Sequence, residues 1–218
     1  MSRRIITIPL PLMRSTSCDW DIDWAGQSAG ASNDNMSQVV FNRFPRWIGS
    51  PSISLHGDLI NAWRAVRARA QGRAGIYRVP MIDLDHMPDM PDGILFDPDV
   101  PFDDGDGFAF EPFVTCAAGA EAGADEIVVQ ETDFEARLGQ FMSHDDWPFV
   151  VAAKAAEGAA VRLTIEMPLR RAIPAGAHIL LRAWGLFEAT DDMMGNPAYG
   201  LVKVSAPQLS FREWLNRP

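Results

Sequence analysis

The chain is short of the patterns that usually carry chemistry. It has two cysteines and four histidines in 218 residues. No Cys-x-x-Cys or His-Glu-x-x-His spacing joins them, so no metal site is expected from these residue types. No Gly-x-Gly-x-x-Gly and no phosphate-cradling glycine loop with lysine occurs, which leaves nucleotide binding without support. A strand-to-helix nucleophile elbow of the common hydrolases is not expected either. No apolar run approaches the roughly 20 residues that span a bilayer. The basic, apolar start is interrupted by Pro9 and Pro11 with no small-residue cleavage site close behind, so a cytoplasmic product is expected. Cys18 and Cys116 lie far apart; one disulfide between them is conceivable, and the simpler reading is two free thiols packed as small hydrophobes.

What the chain does have is an ordinary globular composition with an uneven charge. Hydrophobic residues make up 47% and charged residues 22%, which excludes wholesale disorder. The formal charge of −10 disfavours a general binder of nucleic acid or anionic lipid. Residues 1–82 carry 10 basic and 5 acidic side chains, residues 83–146 carry 1 and 18, and residues 147–218 carry 8 and 6. The middle block is therefore the source of nearly all the negative charge. Within it, 83–106 is rich in proline and aspartate, and such a stretch reads as a long surface excursion. Asp97, Asp99, Asp103, Asp104 and Asp106, with Gly105 and Gly107, resemble a calcium loop, but the EF-hand order is not met. An exposed acidic loop is the simpler reading.

Elsewhere the pattern is one of many short strands. Arg3 to Ile8 is β-branched and stops at proline. Residues 25–37 are small and polar and read as a flexible loop. Residues 39–44 and 47–55 read as strands around Pro45. One helix is expected over about 58–71, with Asp58 as its cap, an apolar stripe of Leu59, Ile60, Trp63, Val66 and Ala70, and Gly72 ending it in a left-handed conformation. Extended structure resumes over 74–80. After the acidic stretch come strand-length runs near 108–115, 126–130, 147–153, 160–167, 178–183, 186–189 and 201–205, punctuated by Gly, Pro or Asp. The expected fold is mainly β, a β-sandwich or barrel of short antiparallel strands with one inserted helix. The expected organisation is an N-terminal β segment over 1–82, the acidic excursion over 83–106, and a C-terminal β segment over 107–218 packed with the first into one unit.

Three groups of residues deserve a chemical reading. His144-Asp145-Asp146 has the elements of a metal site or general base, and the bland alternative is a polar turn before Trp147. The tryptophans Trp20, Trp24, Trp47, Trp63, Trp147, Trp184 and Trp214 could supply a sugar-stacking platform, although packing in the core or at a subunit interface is the commoner use. Arg73, Arg170 and Arg171 follow turns or rigid prolines and lack an acidic partner at helical spacing. Bidentate pairing with a carboxylate of another subunit is the expected use of such guanidinium groups, so these three are the expected assembly contacts.

Two stretches also carry a resemblance. Trp63 to Pro80 runs helix, then Gly72-Arg73-Ala74, then a strand ending in proline. Gly139 to Pro174 begins Gly139-Gln140-Phe141-Met142-Ser143 and leads into Pro168-Leu169-Arg170-Arg171-Ala172-Ile173-Pro174-Ala175-Gly176. Together with the closing Pro207-Gln208-Leu209-Ser210-Phe211-Arg212-Glu213, these resemble the distal tail proteins at the tail tip of long-tailed bacteriophages and of gene-transfer-agent-like particles. The acidic excursion departs from that pattern. The resemblance implies a structural virion protein with no cofactor and no catalytic residue, made in the host cytoplasm and built into the tail. It implies six copies in a ring between tail tube and baseplate hub proteins, with DNA passing through the lumen without specific binding. A carbohydrate-binding host-recognition module is the alternative, and a metal-dependent hydrolase at His144, Asp145 and Asp146 a further one.

Overall fold

In a computed structural model, residues 3–13, 17–31, 36–40, 44–86 and 111–217 are described. The chain is mainly β and divides into two compact units, Met1–Met81 together with Gly185–Pro218, and Ile82–Trp184. The division differs from the expected one. Residues 185–218 belong with the N-terminal segment instead of extending the 107–184 region, because the last strands pair with strands from the beginning of the chain. Most of the acidic excursion, 87–106, and the strand read at 108–110 lie outside the described residues.

The first unit is organised on a six-stranded sheet. Its strands are β1 (Ile5–Thr7), β2 (Trp20–Asp23), β5 (Arg46–Gly49), β7 (Ile76–Pro80), β14 (Trp184–Ala189) and β16 (Phe211–Glu213), in the spatial order β1-β7-β14-β16-β5-β2. The β1–β7 pair is parallel, with Ile6 opposite Tyr77. A parallel pair needs a crossover, and two helices lie within it where one was expected: the single-turn α1 (Leu10–Met13) and α2 (Asp58–Ala70). Ile60, Trp63, Val66 and Ala70 are the buried residues of α2, as the three- and four-residue steps require. The ends differ from expectation. Gly57 precedes the helix and no side-chain cap bond forms, so Asp58 is the first helical residue instead of the cap. At the other end Gln71 already takes the left-handed conformation at φ 54°, and Gly72 follows it with a positive φ of 63°. Gly75 then donates to the Ala70 carbonyl at 2.8 Å. A Cβ on Gly75 would stand 2.6 Å from that oxygen, so only glycine allows the chain to turn this tightly into β7.

Two smaller pairings complete this unit. The strands β6 (Leu55–His56) and β15 (Val204–Ser205) pair antiparallel. The strands β3 (Gln27–Ala31) and β4 (Ser37–Val40) form a two-stranded ribbon, where the sequence suggested a loop over 25–37. Small polar residues with no apolar alternation gave no strand signal there; the pairing is carried by the backbone.

The second unit contains a closed six-stranded barrel. Around it run β10 (Phe141–His144), β11 (Trp147–Glu157), β12 (Ala160–Glu166), β9 (Glu126–Gln130), β8 (Phe113–Cys116) and β13 (His178–Leu180), which returns to β10. Alternation fills the interior: Val114, Cys116, Ile127, Val129, Met142, Leu163, Ile165 and Ile179 are all buried. Closure leaves no open sheet edge. The β10–β11 turn is the two-residue pair Asp145-Asp146 between His144 and Trp147, and both aspartates have positive φ, at 50° and 60°. That is the geometry of a tight hairpin turn whose twist suits the flanking strands.

Candidate interaction surfaces

Two of the three arginines expected to reach a second subunit, Arg73 and Arg171, have carboxylate partners within this chain. Arg73 donates from Nε to Asp192 Oδ1 at 3.1 Å and from a terminal nitrogen to Oδ2 at 3.2 Å, while its backbone N–H donates to Oδ1 at 3.0 Å. Side-chain and backbone hydrogen bonds from Arg73 hold the Asp192 carboxyl below the usual range. Arg73 is therefore not an unpaired arm, and its partner lies 119 residues away in sequence, beyond the reach of any spacing argument. Arg171 lies 3.4 Å from Asp145 Oδ2, again within the chain. Arg170 is half-buried, and neighbouring Leu169 is buried. These contacts correct the idea of free guanidinium forks on Arg73 and Arg171.

The residues His144, Asp145 and Asp146 come together as a polar turn. The His144 Nδ1–H donates to the His178 carbonyl at 2.9 Å, which orients the ring and leaves Nε2 3.8 Å from Asp145 Oδ2. Arg171 shares the same carboxylate. The adjoining cleft, lined by Trp147, Arg170 and Ile173 among others, holds about 10 Å³, room for about one water molecule. Among the described residues, no group of three or more His, Cys, Asp or Glu is arranged to hold a metal ion. The aspartates read as a calcium loop, Asp97 to Asp106, lie outside the described residues.

One catalytic pattern escaped the sequence reading. Gly26-Gln27-Ser28-Ala29-Gly30 has the spacing of a hydrolase nucleophile motif, but its serine sits in β3 on the two-stranded ribbon. The strand-to-helix turn that would expose a nucleophile is missing there, and the Ser28 hydroxyl accepts the Gly30 N–H at 3.3 Å.

The tryptophans sort by burial. Trp20, Trp47, Trp63, Trp184 and Trp214 are buried and Trp147 is half-buried, while Trp24 is 49% exposed. Trp24 is the one left for a stacking role among the seven. An open hollow of about 500 Å³ in the first unit is lined by Ser50, Asp191, Asn196, Gln208 and Ser210 over a buried Leu209. Its polar lining offers hydroxyl, amide and carboxylate groups.

Among the described residues, two groups of exposed apolar side chains lie on the first unit. In the ribbon and at its base, Trp24, Met36, Val39, Val40 and Phe44 are exposed. In the segment 198–204, Tyr199, Leu201, Val202 and Val204 are exposed, Leu201 completely. Arg64 of α2 lies over the Tyr199 ring, 4.9 Å from its centre. Grouping residues by unit also sharpens the charge pattern. The first unit holds 13 Lys and Arg against 9 Asp and Glu, a formal +4; the second holds 6 against 20, a formal −14. No protein-family model and no curated protein matches the chain.

Proposed function

We propose that the chain is a structural component of a phage-like tail tip, similar to distal tail proteins. Its copies close a ring that joins tail tube to baseplate and lets DNA through, six of them by the resemblance. The observation that carries this reading is the separation of charge between two β units. Units of −14 on neighbouring copies repel one another far more strongly than units of +4 do, so contacts between like units of a ring fall to the +4 unit. A ring in turn gathers the acidic units into one field of a single sign, which repels DNA phosphates wherever it meets the passage. No residue is assigned a chemical step.

The test is negative-stain microscopy and sedimentation of the purified protein across salt concentration. Rings with a central hole are expected. Raising ionic strength from about 0.01 M to 0.15 M shortens the Debye length from about 30 Å to about 8 Å, so salt should promote assembly by screening the acidic units. A chain that stays a single copy at all concentrations and salts refutes the ring.

The exposed Trp24 and the polar hollow at Asp191, Asn196 and Gln208 favour carbohydrate binding as a second reading. A pocket of that size fits a small saccharide. Binding on a glycan array that disappears in both Trp24→Ala and Asp191→Ala would establish it.

A further inference from the structure

At the start of the second unit a histidine has an acceptor at each of its ring nitrogens. His86 ends a single turn of 3-10 helix, Leu84–His86. Its Nδ1 lies 2.8 Å from Asp83 Oδ2, and its Nε2 lies 3.1 Å from the Leu138 carbonyl. The ring edge passes over Gly139, where a Cβ would stand 3.7 Å from ring Cε1. All of these residues belong to the second unit.

The main chain of His86 is held by the same loop. The Gln140 amide donates to the His86 carbonyl at 3.4 Å and to the Leu181 carbonyl at 2.8 Å, and its Oε1 accepts the Arg137 N–H at 2.8 Å. Gln140 is buried and continues the barrel ladder. The Gly139 N–H donates to the Val151 carbonyl at 2.8 Å, and the Val151 N–H donates to the Gln140 carbonyl at 3.1 Å. One side of the contact is therefore fixed to the β10–β11 pair. The other side is one short turn, which opens more readily than a barrel strand.

The two acceptors set the number of protons. A carbonyl oxygen accepts hydrogen bonds and donates none, and the same holds for an ionised carboxylate. Neutral imidazole has one N–H and one bare lone pair, so it satisfies one of these acceptors and repels the other. Both contacts are hydrogen bonds only when the imidazole and the Asp83 carboxyl share two protons. Asp83 Oδ1 accepts the Asp85 N–H at 3.1 Å, a bond that favours the ionised carboxylate. Both protons therefore sit on the ring, which donates to a carboxylate on one side and a carbonyl on the other. Among the described residues, the charged groups on the segments that meet here are Asp83 and Asp85 on the turn, Asp133, Glu135 and Arg137 on the loop, and Arg182 beside Leu181. The ion pair with the ring is made by Asp83.

We infer that His86 is a pH-dependent clasp: it fastens the turn 83–86 to the barrel loop 137–140 while both ring nitrogens carry protons, and loosens it when one proton leaves. Histidine is the side chain whose charge ordinarily changes between about pH 5 and pH 8. Because the fastened arrangement binds the proton, its stabilisation is present on the acid side and is lost as pH rises through the titration. Seven aspartates and no lysine or arginine follow in 87–106. The residue from which that acidic stretch continues is tied to the barrel most firmly in acid. The clasp lies within one copy and does not depend on the ring proposed above.

Hydrogen-exchange mass spectrometry on the full chain tests it at about pH 5 and about pH 8, with each rate divided by the intrinsic rate at that pH. Loss of one charge-assisted hydrogen bond should speed the relative exchange of 83–86 about tenfold at the higher pH, with strand 160–166 unchanged. His86→Phe keeps a ring and removes both nitrogens, so exchange of 83–86 should be fast at both pH values. Asp83→Asn keeps an acceptor and removes the charge, and should shrink the pH effect. In the wild type, nitrogen-15 NMR of the side chain should show a proton on each ring nitrogen of His86 at the lower pH. Equal relative exchange of 83–86 at the two pH values overturns the clasp. A pH effect that persists at full size in His86→Phe does so too, as does a His86 ring with a single proton at the lower pH.

Discussion

Segment 193–204 is held in place by two side chains from one face of α2, and loosening them should free it. Trp63 is fully buried and donates from Nε1 to the Gly195 carbonyl at 2.6 Å. Arg67, one turn further along, donates from Nε to the Met194 carbonyl at 2.9 Å and from a terminal nitrogen to the Met193 carbonyl at 3.3 Å. Trp63→Phe keeps an aromatic ring but deletes the donor. The space left, about 40 Å³, costs about 1 kcal/mol at roughly 24 cal/mol per Å³. The Gly195 carbonyl left without its partner costs about 1–2 kcal/mol more. The sum, about 2–3 kcal/mol, corresponds to about a 30- to 150-fold increase in local opening. Hydrogen-exchange mass spectrometry should show that increase over 193–204, with no change in the barrel strands over 141–166. Gly195→Ala should act in the same direction, because Gly195 has φ 65° and a Cβ there would stand 2.7 Å from both the Trp63 ring and Leu209. Exchange of 193–204 in Trp63→Phe within threefold of wild type would refute the clamp.

Two further outcomes are expected. In Arg73→Ala, the Asp192 pKa measured by NMR should rise toward 3.8. Because the folded value is lowered, the pair's stabilisation is present above that unfolded value and is lost as pH falls through the folded one. The variant should therefore be less stable than the wild type at neutral pH, with the difference disappearing as pH falls through the folded value. A thiol reagent should label exposed Cys18 in the native protein at least about a hundred times faster than buried Cys116, and both alike in denaturant; equal native rates would contradict the packed barrel interior.

Local patterns were enough for the elements whose cause is local. Trp63, Val66 and Ala70 mark the buried stripe of α2 from the sequence, and β-branched runs such as Ile127-Val128-Val129 mark barrel strands. The mainly β fold follows from such runs. Pairings between distant parts of the chain left no trace of that sort. Nothing near Arg73 points to Asp192, and nothing near Phe211 points to Gly49, its partner across the β16–β5 ladder. The end of the chain was accordingly grouped with its neighbours in sequence instead of its neighbours in space. The ribbon was legible only in part: 39–44 read as a strand and contributes Val39 and Val40 to β4, whereas β3 was read as a loop because both faces of the ribbon are exposed and burial imposes no alternation of apolar and polar residues. Its apolar residues at 36 and 39–40 were the available signal, and their uncovered state is visible only once the strand is placed.

The separation of charge depends on the same long-range pairing. Read along the chain, residues 147–218 carry 8 basic and 6 acidic side chains, an unremarkable block. The boundary between units cuts that block at 184/185 and sends Lys203, Arg212 and Arg217 to join the N-terminal arginines. The basic unit is thus assembled from the two ends of the sequence, and the acidic unit is the insertion between them. An insertion closed on itself as a barrel has no free edge to offer a neighbour, and its −14 charge opposes a like unit. The main sheet of the first unit is open at β1 and β2, and the ribbon extends directly from β2. Edges, apolar patches and the smaller charge all fall on one unit, which is where contacts between copies of this chain cost least.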